Sequence, residues 1–81
     1  MDKSIYSADY RRLCTLLREL RDEADLTQVQ VGERLDEPQS FVSKYEAGER
    51  RIDVVELRQI VDVLGTDLVS VIQRLWPAAS A

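Results

Sequence analysis

The segment formed by residues 26–48 constrains the fold of this chain more than any other part of the sequence. Thr27 is followed three residues later by Gln30, the pattern of a capping box, which predicts that a helix begins at about Gln28. This helix must end before Pro38, because proline cannot continue a helix but suits the first turn of the next one. We therefore expect two short helices joined by a tight turn, the second of them closed by a glycine in the left-handed conformation.

Four residues of this segment follow a recognisable spacing. Gln28, Gly32, Asp36 and Val42 lie where the Cro and phage-repressor family, also called the XRE family, has an opening glutamine, a small residue, a turn residue and an aliphatic residue. The chain resembles the helix-turn-helix of that family over about residues 13–72. Gly32 replaces the usual alanine, and glycine is about 1 kcal/mol less favourable than alanine inside a helix. Asp36 replaces the usual glycine at a turn position that favours a positive φ, where aspartate is tolerated.

Apolar residues at spacings of three and four predict three further helices. The first covers about residues 8–24, the fourth runs from Asp53 to Gly65, and the fifth runs from Thr66 to Trp76. No alternating run predicts a strand, so we expect an all-α fold, a compact bundle of five short helices with a repressor-like helix-turn-helix. The expected inward positions of these three helices are Tyr10, Leu13, Leu17, Leu20, Ala24, Leu57, Ile60, Val61, Leu64, Leu68, Val71, Ile72 and Leu75.

The length of 81 residues predicts one domain, spanning residues 8–76, with an amino-terminal arm at residues 1–7 and a frayed tail at residues 77–81. No apolar run approaches the length of a membrane span, and the first residues lack the basic start and hydrophobic stretch of a secretory signal. We therefore expect a cytoplasmic protein. The single cysteine, Cys14, cannot form an internal disulfide and is expected to be a packed structural thiol.

The net charge of −4 argues against a protein that approaches phosphates. What attracts DNA, however, is the local field on one face, and several acidic residues lie in segments expected to face away from it. That face is expected to be weakly positive at best, so specificity should depend on base contacts and on dimerisation. Its expected charged residues are Arg34, Lys44, Arg50 and Arg51 against Glu33, Glu37 and Glu49.

The family resemblance implies that the second helix of the motif lies in the major groove of DNA. Gln39 could then form paired hydrogen bonds with adenine, and Lys44 could reach a guanine or a phosphate. Ser40 and Ser43 are adaptable donors and acceptors. Phe41 could press on a thymine methyl group or pack against its own protein. The expected base-reading residues are Gln39, Ser40, Phe41, Ser43 and Lys44.

Contacts to the DNA backbone are expected from the start of the first motif helix, because unpaired NH groups and the helix dipole attract phosphate there. Arg50 and Arg51 could contact phosphate on the opposite side, or could be a solvated pair that balances neighbouring acidic residues. Arg21 and Glu46 match family positions that form an internal ion pair, with the arginine also near phosphate. The expected phosphate-contacting residues are Thr27, Gln28, Arg21, Arg50 and Arg51.

The sequence as a whole predicts a sequence-specific, DNA-binding transcriptional regulator, a repressor that acts as a homodimer on an inverted repeat. The alternative is a protein-interaction or antitoxin-like module that binds a protein partner, and a regulatory protein partner is also left open. The chain has no histidine, no metal-spaced cysteines and no nucleophile with a base, so we expect neither an enzyme nor a cofactor or metal. The expected dimer residues are Leu68, Val69, Ile72 and Trp76, although Trp76 could instead close the monomer core.

Overall fold

A computed structural model describes residues 7–77 of the chain. These residues form five α-helices joined by short loops, and they contain no strand. The predicted all-α bundle is therefore confirmed. Of the expected arm and tail, only Ser7 and Pro77 fall within the described residues. None of the five helices is long and apolar enough to cross a membrane. The helices are α1 (Ala8–Glu23), α2 (Gln28–Leu35), α3 (Gln39–Glu46), α4 (Val54–Val63) and α5 (Leu68–Leu75).

Capping boxes begin α2 and α4, as their sequences predict. At the start of α2, the backbone N–H of Gln30 donates to Thr27 Oγ1 over 3.1 Å, and the Thr27 N–H donates to Gln30 Oε1 over 2.8 Å. At the start of α4, Asp53 and Glu56 make the same reciprocal pair at 2.7 and 3.1 Å. Each box satisfies two backbone donors that a helix end otherwise leaves unpaired, so local sequence alone places these two helix starts.

The turn between α2 and α3 brings two backbone segments unusually close. Asp36 has the left-handed conformation that its place in the motif predicts, with φ 58° and ψ 41°. A Cβ atom added to Gly32 would lie 2.8 Å from the carbonyl oxygen of Glu37 and 3.3 Å from the carbonyl group of Pro38. The backbone that comes this close to Gly32 belongs to the turn, so a residue without a side chain at this position lets the turn fold back against α2.

The core lies between α2, which packs on α3 and α4, and α1 and α5, which pack on α3 and α4 and on each other; two residues that were expected to face it are exposed. Ala24 is exposed because it lies past the end of α1, and Ile72 is 40% exposed because α5 packs on one side only. Leu16, which was not expected in the core, and Cys14, which was expected to be packed, are both buried because α1 packs against both α3 and α5. The buried core residues are Cys14, Leu16, Leu17, Leu20, Val31, Phe41, Val42, Tyr45, Leu57, Ile60, Val61, Leu64, Val71 and Leu75.

Tyr10 and Cys14 connect α1 to the loop between α3 and α4. The Tyr10 hydroxyl donates a hydrogen bond to the carbonyl oxygen of Arg50 over 2.6 Å. Burial, together with the neighbouring Cys14, raises the pKa of Tyr10 to about 12, so this hydroxyl stays protonated and remains a donor. Burial also raises the pKa of the Cys14 thiol, and a buried thiol of raised pKa is unreactive. The thiol is therefore part of the packing.

Candidate nucleic-acid interface

The exposed side of α3 carries four of the five residues that were expected to read bases. Gln39, Ser40, Ser43 and Lys44 are all exposed, whereas Val42 is fully buried beneath them. Positions 39 and 43 and positions 40 and 44 are four residues apart, and positions 40 and 43 are three apart, so their side chains share one side of the helix. The result is a polar ridge, made of these four residues, that stands clear of the core.

Phe41, the fifth of the expected base-reading residues, lies in the core and not on the exposed side of α3. Its side chain is only 9% exposed, and its ring packs edge-to-face against Tyr45 with the centroids 5.5 Å apart. Of the two alternatives for this residue, packing against its own protein is therefore the correct one, and base reading is wrong. The spacing of four between the two aromatic residues, which places them on one helix face, is the pattern that could have indicated this.

Arg21 and Glu46 form the ion pair that the family resemblance implies. Arg21 Nε lies 2.7 Å from Glu46 Oε2, and Arg21 Nη2 donates to Glu46 Oε1 over 3.0 Å. The two side chains are only 12% and 5% exposed. Glu46 raises the pKa of Arg21, which stays charged throughout. Arg21 Nη1 also donates to the carbonyl oxygen of Leu26 over 3.0 Å, so one guanidinium ties α1 to the end of α3 and to the loop before α2.

Two glutamines extend this ion pair to the surface. Gln28 Nε2 donates to Glu46 Oε1 over 3.0 Å, and Gln39 Nε2 donates to Gln28 Oε1 over 3.2 Å. A chain of hydrogen bonds thus runs from the half-buried Arg21 to the exposed amide of Gln39. The amide of Gln39 keeps its carbonyl oxygen and one N–H hydrogen for another partner, and those are the groups that pair with the N6 and N7 positions of adenine. The sequence marked each of these residues but not the connection between them.

Arg50 makes contacts within the protein, so it is not simply a solvated residue of the loop, and its expected phosphate contact stays a prediction. Its guanidinium lies 4.4 Å from the centre of the Phe41 ring and forms a two-pronged pair with Glu56, at 2.9 and 3.2 Å. The balancing acid is therefore Glu56, not the neighbours in the loop, and Arg50 lowers the pKa of Glu56. Both side chains remain partly exposed, at 38% and 27%. Of the other expected phosphate contacts, Arg51 and Thr27 are exposed and Gln28 is half-buried.

A helix-turn-helix family model matches residues 17–71, which is most of the chain. An XRE-family like protein from Pseudomonas syringae pv. tomato str. DC3000 has a similar structure, with a TM-score of 0.80 and 44% sequence identity over 84% of this chain and 83% of that one. The chain belongs to the XRE family of helix-turn-helix proteins. This is a family of DNA-binding regulators and not of enzymes, so the chain is a DNA-binding transcriptional regulator.

Two further solved structures share the fold of this XRE-family protein. The clp gene regulator ClgR from C. glutamicum has a TM-score of 0.78 and 19% identity, covering 85% of this chain and 88% of that one. A mutant of the restriction-modification controller protein C.Esp1396I has a TM-score of 0.81 and 19% identity, covering 90% and 92%. At this level of identity the likeness establishes the fold alone. No curated protein matches the sequence significantly.

The outer side of α5 in this XRE-family protein is apolar. Val69, Ile72 and Trp76 are 65%, 40% and 41% exposed, and their spacing of three and four residues places them along one side of the helix. Leu68, the fourth residue expected to mediate dimerisation, is turned inward and packs against the core. Trp76 was expected either to join a dimer or to close the core, and it lies outside the buried core.

Proposed function

We propose that this protein is a sequence-specific transcriptional repressor that binds an inverted-repeat operator as a homodimer. The single observation that carries the proposal is the hydrogen-bond chain from the buried Arg21–Glu46 pair through Gln28 to the exposed amide of Gln39. An amide held in this way loses little conformational freedom when it meets a base, so its pairing with the base is specific at low entropic cost. The exposed α5 surface supplies the contact between two copies.

Base reading is assigned to the polar ridge of α3. Gln39 pairs with the N6 and N7 positions of adenine, Lys44 reaches a guanine or a phosphate, and Ser40 and Ser43 adapt as donors or acceptors. A good paired contact of this kind contributes about 1–3 kcal/mol of discrimination against the wrong base. Because Phe41 lies in the core, the ridge has no large apolar group with which to select a thymine methyl. Its selectivity is therefore set by hydrogen bonds to base edges and not by contact with a methyl group.

Phosphate contacts are assigned to the two ends of the motif. The start of α2 offers the backbone N–H of Gln28 and the positive end of the helix dipole beside Thr27. Arg51 contacts the backbone from the loop after α3, and Arg21 lies near the phosphates on the other side while its charge is paired with Glu46. Arg50 stabilises this loop by its contact with the Phe41 ring and its ion pair with Glu56. It can contact a phosphate only if its ion pair with Glu56 breaks.

The dimer is assigned to the apolar stripe of Val69, Ile72 and Trp76. A two-fold axis would bring two such stripes together and bury surface that a small monomer leaves exposed. The two copies of α3 would then face successive major grooves about 34 Å apart, which sets the spacing of the half-sites. Bound over a promoter in the cytoplasm, such a dimer represses by excluding the polymerase.

The test of DNA binding is a gel shift over a series of salt concentrations, with duplexes selected from a randomised pool and with a random duplex. Affinity should fall steeply with salt, and Gln39→Ala should weaken the selected site about tenfold or more while leaving the random duplex nearly unchanged. Gln59→Ala, which removes an exposed glutamine from α4, is the matched control. Equal loss on both duplexes would remove Gln39 from base reading.

The test of the dimer is sedimentation of the wild type and of Ile72→Glu. A carboxylate in the centre of the stripe would have to be buried without a partner, so the variant should sediment as a monomer and bind an inverted repeat more weakly than the wild type. A wild type that stays monomeric at concentrations where it fills its operator would rule out the dimer.

The second candidate is a protein-interaction or antitoxin-like module, and the net charge of −4 is the observation in its favour. On that hypothesis the exposed Val54 and Val55 at the start of α4, 66% and 64% exposed, would meet a protein partner. It predicts weak DNA affinity with little salt dependence, together with a tight protein complex. The salt series distinguishes the two candidates.

A further inference from the structure

We propose that Arg18 binds a DNA phosphate, and that one strand of the duplex follows the groove between α1 and α3. This inference rests on the proposed DNA-binding function and adds Arg18 to the residues that contact DNA. The sequence pattern alone indicates only that Arg18 lies on the outer side of a helix. The α1–α3 groove has a volume of about 330 Å³. The residues that line it are Arg18, Arg21, Gln28, Ser43, Glu46 and Ala47.

The position of the groove connects α1 to the base-reading ridge. Ser43 belongs to the exposed side of α3 and forms one wall of the groove, while Arg18 lies on the other wall. Arg21 follows Arg18 by three residues on α1, and residues at that spacing are neighbours on a helix surface, about 5–6 Å apart between Cβ atoms. A strand whose bases meet Ser43 therefore passes its phosphates along α1, within the reach of an arginine side chain.

The charges of the three grooves that border the motif favour this one. The α1–α3 groove is lined by two arginines and one glutamate, a net charge of +1. The groove at the start of α2 has one arginine and two aspartates, a net charge of −1. The groove on the far side of α3 has a lysine, an arginine and two glutamates, a net charge of zero. The groove between α1 and α5 is also positive, with three arginines and one glutamate, but none of the residues that line it belongs to the motif. Positive charge and contact with the base-reading ridge therefore occur together in the α1–α3 groove.

Arg18 is the source of that excess charge. Arg21 is paired with Glu46 at 2.7 Å and with Asp22 at 3.6 Å, so its charge is largely compensated within the protein. Arg18 is exposed and forms no ion pair with any residue between 7 and 77. A phosphate that approaches Arg18 therefore breaks no existing ion pair, whereas one that approaches Arg50 must compete with Glu56.

The experiment is the salt dependence of DNA affinity for the wild type, Arg18→Gln and Arg18→Lys, with a random duplex and with a duplex selected from a randomised pool. The control is Arg11→Gln, which removes the same charge from an exposed arginine of the same helix. Arg11 also forms no ion pair among residues 7–77, but it lines the groove between α1 and α5, away from the motif. Circular dichroism should give the same melting temperature for all four proteins, because neither position is buried.

Loss of one phosphate contact reduces the slope of log affinity against log salt by about 0.9. We expect Arg18→Gln to show this reduction and to lose about tenfold in affinity at low salt on both duplexes, because a backbone contact carries no sequence information. Arg18→Lys should restore the slope, and Arg11→Gln should keep the slope of the wild type.

Three results would overturn the inference, and they can be told apart. A wild-type slope in Arg18→Gln removes Arg18 from the interface but leaves the proposed DNA-binding function intact. Equal reductions in Arg18→Gln and Arg11→Gln mean that only the overall charge matters, so the strand does not follow the α1–α3 groove. A wild type without salt-dependent affinity for either duplex overturns the proposed function and this inference together.

Discussion

Replacing Arg21 by alanine should destabilise the fold and the DNA-binding face together. The change removes two hydrogen bonds to Glu46 and one to the carbonyl oxygen of Leu26. It also leaves the Glu46 carboxylate, whose side chain is 5% exposed, without its cation and with only the amide of Gln28 as a partner. A carboxylate of such low exposure that has lost its cation is the main source of the expected loss.

Breaking a buried ion pair by removing one partner costs about 3–5 kcal/mol. Because Arg21 is not completely buried and Glu46 keeps one hydrogen bond, we expect a loss of about 3 kcal/mol, at the lower end of that range. A chain of this size has a total stability of about 4–12 kcal/mol. The melting temperature should therefore fall by about 12–24 °C, since 1 kcal/mol corresponds to about 4–8 °C in a domain of this length.

Urea denaturation followed by circular dichroism at a helical band measures this loss directly. Arg50→Ala is the matched control, because Arg50 also forms a two-pronged pair with a glutamate but is 38% exposed. It should cost only about 1 kcal/mol, the sum of an exposed ion pair and its contact with the Phe41 ring. DNA affinity of Arg21→Ala, measured at a temperature where the variant is folded, should also fall, because Gln28 loses its support. Equal losses of stability in the two variants would refute the argument from burial, and unchanged affinity would refute the role of the hydrogen-bond chain.

Three other substitutions test the turn and the loop. Gly32→Leu should abolish the cooperative thermal transition, because its Cβ would lie 2.8 Å from a backbone oxygen of the following turn, while Arg34→Leu on the same helix should melt close to the wild type. Asp36→Gly should raise the free energy of unfolding by about 0.5–1 kcal/mol, because it removes the Cβ atom of a residue at φ 58°. The control Asp62→Gly, inside α4, should lower the free energy of unfolding by about 1 kcal/mol. A loss of stability in both variants would contradict the strain at position 36. Glu56 has a folded pKa below its usual value, so its stabilisation is present at neutral pH and is lost as pH falls through that pKa. The difference in unfolding free energy between the wild type and Glu56→Gln should therefore be constant above about pH 5 and shrink at lower pH, and a difference that does not change with pH would contradict the pairing.

Local sequence alone determined where the helices begin and how the chain turns between them. Thr27 with Gln30, and Asp53 with Glu56, form their capping boxes within four residues of chain, so no distant contact is needed to predict them. Asp36 adopts the left-handed conformation for an equally local reason. The family pattern likewise predicted the Arg21–Glu46 pair, because two fixed positions on neighbouring helices of a known motif meet in the same way.

Tertiary structure decided which side chains face solvent and which charges are already paired. The exposure of Ile72 depends on how many helices pack against α5, and periodicity within one helix does not contain that information. Arg50 and Arg18 look alike in the sequence, since both are arginines on an expected outer surface. In the folded chain, Glu56 pairs with Arg50, whereas Arg18 has no ion pair among residues 7–77. The sequence does not contain this difference, because charge pairing depends on distances between segments.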